Sequence, residues 1–225
     1  MIIVTGASRG LGFAIANRLW AEGKEIFGLA RNVEGLHFPA TPCDVSDADS
    51  LKRIAREIRS EGYNVEGLIN AAGIASMNLA VTSPAPQVER VVRVNLLGTI
   101  YSSQVFAPLM MRLKYGRIVN FSTIAVPLAL PGEAAYAASK AGVEAFSRTF
   151  AREVSDFGIT VNCVAPGPID TDLLRGVSSD QVSKIVNQQV IRKQFTPDAV
   201  ADVVELLLDE KGSAISGQVL HVGGV

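Results

Sequence analysis

The segment "NFSTIAVPLALPGEAAYAASK", Asn120 to Lys140, holds residues whose types and spacing suit proton chemistry. Tyr136 and Lys140 stand four positions apart, so a helix would place them as neighbours on one face. A phenol ordinarily titrates near pH ~10 and is a poor base at neutral pH. An ammonium held beside it favours the phenolate and lowers that value, which would fit the pair for general acid/base work. Thr123 lies thirteen positions before the tyrosine, with Ser122 beside it. Either hydroxyl could polarise a carbonyl or steady a developing alkoxide. Successive side chains at a strand end point opposite ways, so only one faces a cleft, and the spacing favours Thr123. On these residues alone, a merely polar strand, loop and helix is the competing reading.

A second constellation lies near the start, in "VTGASRGLGFAIANRL". Gly6, Gly10 and Gly12 permit a tight turn and let backbone approach a pyrophosphate, and a helix N-terminus follows with free N–H groups. Ser8, Arg9 and Leu11 belong to the same candidate loop. At the end of the next apolar run stand Arg31 and Asn32, where a site for the unphosphorylated dinucleotide usually carries an acid. An arginine suits a 2′-phosphate instead, and Arg9 could add a second cation. The expected cofactor is therefore NADP(H). Asp44 and Val45, in "PCDVSD", could receive the adenine, although Asp44 or Ser46 would also serve as a helix cap. Asn70, Ala71, Ala72 and Gly73, in "INAAGI", allow close approach to the adenosine ribose.

These groups need elements to position them. Apolar β-branched runs at Met1–Thr5, Glu25–Ala30, Ala40–Cys43, Gly67–Asn70, Arg117–Ser122, Ile159–Ala165 and Gln218–Val222 read as strands buried on both faces. Helical patterns alternate with them at Leu11–Ala21, Ala48–Ser60, about Gln87 to Lys114, Ala134–Asp156 and Pro197–Leu208. The alternation predicts an α/β fold: one doubly wound parallel sheet of about seven strands, with helices on both faces. "RNVEGLHFPA" is too short for a crossover helix, so a turn is expected there. Gly98 and Pro108 should bend or interrupt the long helix. Residues 1–225 read as one domain, with a small lid at about 171–194. Leu173, Leu174, Val177, Val182, Ile185 and Val186 are its apolar candidates.

The 21 basic and 22 acidic residues leave a net charge of -1, which gives no general attraction to nucleic acid or anionic membrane. Two isolated cysteines and two distant histidines argue for a reducing cytoplasm and against a zinc site. No apolar run reaches the roughly 18 residues of a membrane span.

The motifs "TGASRGLG", "CDV", "NAAG", "VNLLG", "YAASK" and "APGPIDT", in that order, with "ISGQVLHVGG" at the end, resemble the short-chain dehydrogenase/reductase family over essentially the whole chain. In layout the chain is most similar to the 3-oxoacyl-carrier-protein reductases. The resemblance implies Tyr136 as general acid/base, with Lys140 lowering its pKa and binding the nicotinamide ribose. Asn95 would hold a water in the proton relay. Pro166, Gly167 and Ile169 would lie along the nicotinamide, and Thr171 would bond it or the phosphates. A ketone, as a small molecule or an acyl thioester, would be reduced by NADPH without a metal; dehydrogenation of a cyclic or small secondary alcohol, and a non-catalytic NADP-binding sensor or scaffold, are the alternatives. Arg112, Lys114 and Arg117 form a modest basic patch for an acidic carrier. A homodimer or homotetramer is implied. Thr123 stands where the family usually has serine, and Ala71 and Gly223 also depart from its pattern.

Overall fold

Each apolar run of the sequence becomes a strand of one sheet. The computed structural model describes residues 1–75, 77–170 and 178–225. The strands are β1 (Ile2–Thr5), β2 (Ile26–Ala30), β3 (Ala40–Pro42), β4 (Gly67–Asn70), β5 (Gly116–Phe121), β6 (Ile159–Pro166) and β7 (Val219–Val222). They pair in the order β3-β2-β1-β4-β5-β6-β7, and every pairing is parallel. The alternation of side chains divides the interior into two layers. Ile3, Leu68 and Ile118 face one layer, with α2 (Ala48–Ser60), α4 (Gly98–Leu113) and α6 (Ala134–Val154). Val4, Ile69 and Val119 face the other, with α1 (Gly10–Ala21) and α8 (Pro197–Leu208). Strands covered on both faces need apolar residues at successive positions, which is why these runs do not alternate with polar residues.

Between β2 and β3 there is no helix, as the short connection requires. Strand order reverses between β1 and β4, so a crevice opens at the carboxyl ends of the strands there. Asp47 caps α2, accepting from the N–H groups of Asp49 and Ser50, so neither Asp44 nor Ser46 is the cap. The long helical pattern after Pro84 divides into α3 (Ala85–Val92), a π-turn over Arg93–Leu97, and α4 beginning at Gly98. The expected interruption at Gly98 is therefore this turn. Pro108 does not interrupt: α4 runs through it. Pro108 and Gln104 are both exposed, so the carbonyl that loses its partner faces water. No helix among the described residues is long and apolar enough to cross a membrane. Cys43 and Cys163 are buried and unpaired.

Candidate active site

The crevice is a cleft of about 1320 Å³, lined from the glycine loop at one end to Tyr136 and Lys140 at the other. Gly6 makes it possible. Its φ is +69°, and a Cβ there would lie 2.8 Å from the backbone N and Cα of Ala72. The Thr5 hydroxyl fixes that approach by accepting from Ala72 N–H at 3.2 Å. A Cβ at Gly12 would run into the Gly6 carbonyl oxygen. The first turn of α1 has neither a side-chain cap nor an acid. Its N–H groups therefore remain as donors facing the cleft, with a positive dipole behind them. This uncapped helix end, closed in by Gly6, Ser8, Arg9, Gly10, Leu11 and Gly12, fits the pyrophosphate of a dinucleotide.

Arg31, Asn32, Asp44, Val45, Ala71, Ala72, Gly73 and Pro166 line the same cleft. Asn70 does not. Its amide is buried in the sheet, donating to Ser103 Oγ at 3.2 Å and to Asn120 Oδ1 at 2.8 Å, so it ties strands and helix together. Asp44 spends one carboxylate oxygen on the N–H and hydroxyl of Ser46. Gly167 and Ile169 line a smaller adjoining cavity of about 120 Å³ beyond Tyr136, with Thr123. Ile185, on α7 (Ser179–Val186), lines it too; Val182 and Val186, the other described lid candidates, do not. Thr171, Leu173, Leu174 and Val177 lie outside the described residues.

Ser122 and Thr123 both line the small cavity beyond Tyr136, and Ser122 also lines the large cleft, but their hydroxyls have different partners. Ser122 is buried, and its hydroxyl donates to Glu144 Oε1 at 2.5 Å. Thr123 hydrogen-bonds the side chain of Tyr136 and also accepts from Ala125 N–H at 3.2 Å. Lys140 is buried one helical turn beyond Tyr136, and its Nζ donates to the Phe121 carbonyl at 2.8 Å. A Cβ at Gly73 would lie 3.4 Å from Asn95 Oδ1 and 3.6 Å from Lys140 Nζ, so that glycine keeps the space between them open. Asn95 sits in the π-turn. Its amide accepts from Ile74 N–H at 2.8 Å and donates to the Ile74 carbonyl at 2.9 Å and to Ser139 Oγ at 3.1 Å. That side chain thus joins the segment after β4 to α6.

The electrostatics also differ from expectation. Tyr136 is pushed up to about 12, first by burial and then by the charge of Glu133, with the Thr123 hydrogen bond acting in the opposite direction. Lys140 is pushed down to about 8 by burial. Burial and Glu133 thus favour the protonated form of Tyr136.

These shifts make stability depend on pH. A lysine at about 8 in the folded chain and 10.5 when free opposes folding while both forms are charged. That penalty is relieved as pH rises past about 8. Cys43 and Cys163, both pushed up from 9.0 to about 11, act oppositely above pH 9, as does Tyr136 above pH 10. Thermal melts should therefore show stability rising between pH 8 and 9 and falling above. Lys140→Met should lose the rise and keep the fall; a rise that survives the substitution would assign it to another group.

Several site residues escaped the sequence reading. Arg90 and Arg93 line the cleft opposite the glycine loop's own arginine, and Glu133 lines the cavity by Tyr136. Their spacing, i and i+3 on a helix leading to Asn95 and i and i+3 before Tyr136, was the available signal. Gln189 carried none: it is buried beside Gly167, where its Nε2 donates to the carbonyls of Ile191 and Lys193.

A family model described as enoyl-(acyl carrier protein) reductase matches residues 6–224. The chain belongs to the short-chain dehydrogenase/reductase family. The 3-oxoacyl-[acyl-carrier-protein] reductase FabG of Salmonella typhimurium is 36% identical over 231 residues, covering 99% of this chain and 95% of that protein. The reductase MabA of Mycobacterium bovis, of the same description, is 35% identical over 227 residues, covering 99% and 91%. The ligand-free aldohexose dehydrogenase of Thermoplasma acidophilum superposes with a TM-score of 0.91 at 30% identity, covering 99% and 92%. As a short-chain dehydrogenase/reductase, the protein is an oxidoreductase acting on CH–OH groups and using a nicotinamide cofactor.

Proposed function

We propose that the protein reduces a ketone to a secondary alcohol with NADPH, reversibly, using Tyr136 as the proton donor. The observation that carries this reading is the contact of the Thr123 side chain with a neutral Tyr136, at the junction of the large cleft and the small cavity. A carbonyl oxygen placed there meets two hydroxyls, one to orient it and one to protonate it. NADPH, when bound, supplies the hydride. Lys140, in the cleft lining with its ammonium on the Phe121 carbonyl, would bond the nicotinamide ribose. Asn95 contributes by holding Ile74 and Ser139, and so the wall around Lys140.

The preference for NADPH rests on Arg31 and Arg9, both exposed along the cleft, with Arg31 and Asn32 rather than an acid directly after β2 and Glu34 further along the same wall. A guanidinium can bind a 2′-phosphate through charge-assisted bonds of roughly 1.5–3 kcal/mol each. The test is turnover with NADPH and NADH before and after Arg31→Asp. The unaltered chain should favour NADPH tenfold or more, and the variant should lose that preference. Equal use of both cofactors by the unaltered chain would overturn the assignment.

The FabG and MabA relatives support a 3-oxoacyl thioester as the substrate. The carrier-docking patch is reduced, however, because Arg117 is buried and paired with exposed Glu210 at 2.9 Å. A small or cyclic secondary alcohol is the second reading, favoured by the charged side chain in the 120 Å³ cavity.

A further inference from the structure

The cavity beyond Tyr136 contains one group that ketone reduction does not itself require. Glu133 immediately precedes α6, three positions before Tyr136, and lines the small cavity with it. Its neighbours there include Leu130, Ile169 and Ile185. Among the described lining residues it is the only charged one.

The usual reasons for a carboxylate at a helix start do not apply. Its side chain makes no cap hydrogen bond to α6. Among the described residues it has no ion-pair partner. It is half-buried, and burial raises its carboxyl above the ordinary value. A carboxylate removed from water without a partner opposes stability unless a ligand donates to it.

We propose that Glu133 is a specificity-determining residue that accepts a hydrogen bond from a hydroxyl carried by the substrate close to its ketone. Glu133 and Tyr136 share one small cavity, which places the hydroxyl near the reacting carbon. A neutral hydroxyl matches a single acceptor set among apolar side chains. An ammonium would need several acceptors in the same space. A site built this way rejects a substrate lacking the hydroxyl far more strongly than an apolar pocket rejects a missing methylene, because its own polar group is left unpaired. The inference rests on the ketone-reduction reading but not on its thioester branch.

The experiment compares acetoin with butanone, which differ by that hydroxyl, in the full chain with NADPH. The unaltered protein should prefer acetoin by tenfold or more in kcat/KM. Glu133→Leu should erase the preference, acting chiefly on KM, and Glu133→Gln, which keeps an acceptor oxygen, should retain part of it. An unchanged ratio in Glu133→Leu, or no preference in the unaltered protein, overturns the proposal. NADPH fluorescence checks that each variant still binds cofactor; if Glu133→Leu does not fold, the Gln variant must lower the ratio for the proposal to stand. If neither ketone is turned over, the reduction reading fails by itself. The proposal is then decided by binding, as the difference between acetoin and butanone in quenching bound NADPH, which Glu133→Leu must abolish.

Discussion

Replacing Tyr136 by Phe should lower kcat for ketone reduction by about 10²–10⁴-fold while NADPH binding survives. The substitution keeps the ring that fills the wall between the cleft and the small cavity, and removes only the hydroxyl that Thr123 contacts. No other described side chain on the same wall offers an equivalent proton. Lys140 is one turn away and donates to the Phe121 carbonyl, and Ser122 points at Glu144. Absorbance at the NADPH band measures turnover, and NADPH fluorescence measures binding. A Phe variant retaining a tenth or more of the activity would remove Tyr136 from the chemistry. Loss of cofactor binding together with activity would mean that the hydroxyl serves binding rather than proton transfer.

The second large effect separates the two neighbouring hydroxyls. Thr123→Val is nearly isosteric and removes one oxygen, so the fold should persist while kcat falls about 10²–10³-fold, as when one donor is removed from an oxyanion-type site. Ser122→Ala should behave in the opposite manner. It leaves Glu144 Oε1 without the Ser122 donor in a buried site, which costs stability by about 1–3 kcal/mol. Its kcat should remain within a few-fold of the unaltered value. Melting temperature and steady-state rates, measured on both variants, give two patterns that cannot be confused. If Ser122→Ala were inactive and Thr123→Val active, the roles of the two residues would be exchanged.

The layout of the fold was legible because it depends on local pattern. All seven strands lie within a residue or so of the apolar runs, and α2 and α8 begin and end as their periodicity implies. The glycine loop, Tyr136 and Lys140 were legible for a related reason: their chemistry is set by spacing along one element. What could not be read depends on which groups meet across the sheet. Asn70 belongs to a motif at a strand end, yet Asn120 and Ser103 claim its amide. Arg117 looked like a surface charge in a basic cluster, but it lies under Tyr115, 4.3 Å from the ring centroid, and bonds Glu210 from the far end of the chain. The direction of the Tyr136 shift followed from burial and from Glu133, neither of which the Tyr-Lys spacing reports.

Glu133, Tyr136, Lys140 and Glu144 mark successive turns at the start of α6. Along that single stretch lie the proposed contact for the substrate, the proposed proton donor, the buried ammonium and the anchor of the β5 end. Backbone hydrogen bonding fixes their separations, so exchanging the first of them leaves the other three in register. The enzyme can therefore diverge in what it accepts without renegotiating how it reacts. For directed evolution, position 133 offers a way to retune selectivity at the edge of a frame that the remaining three keep rigid.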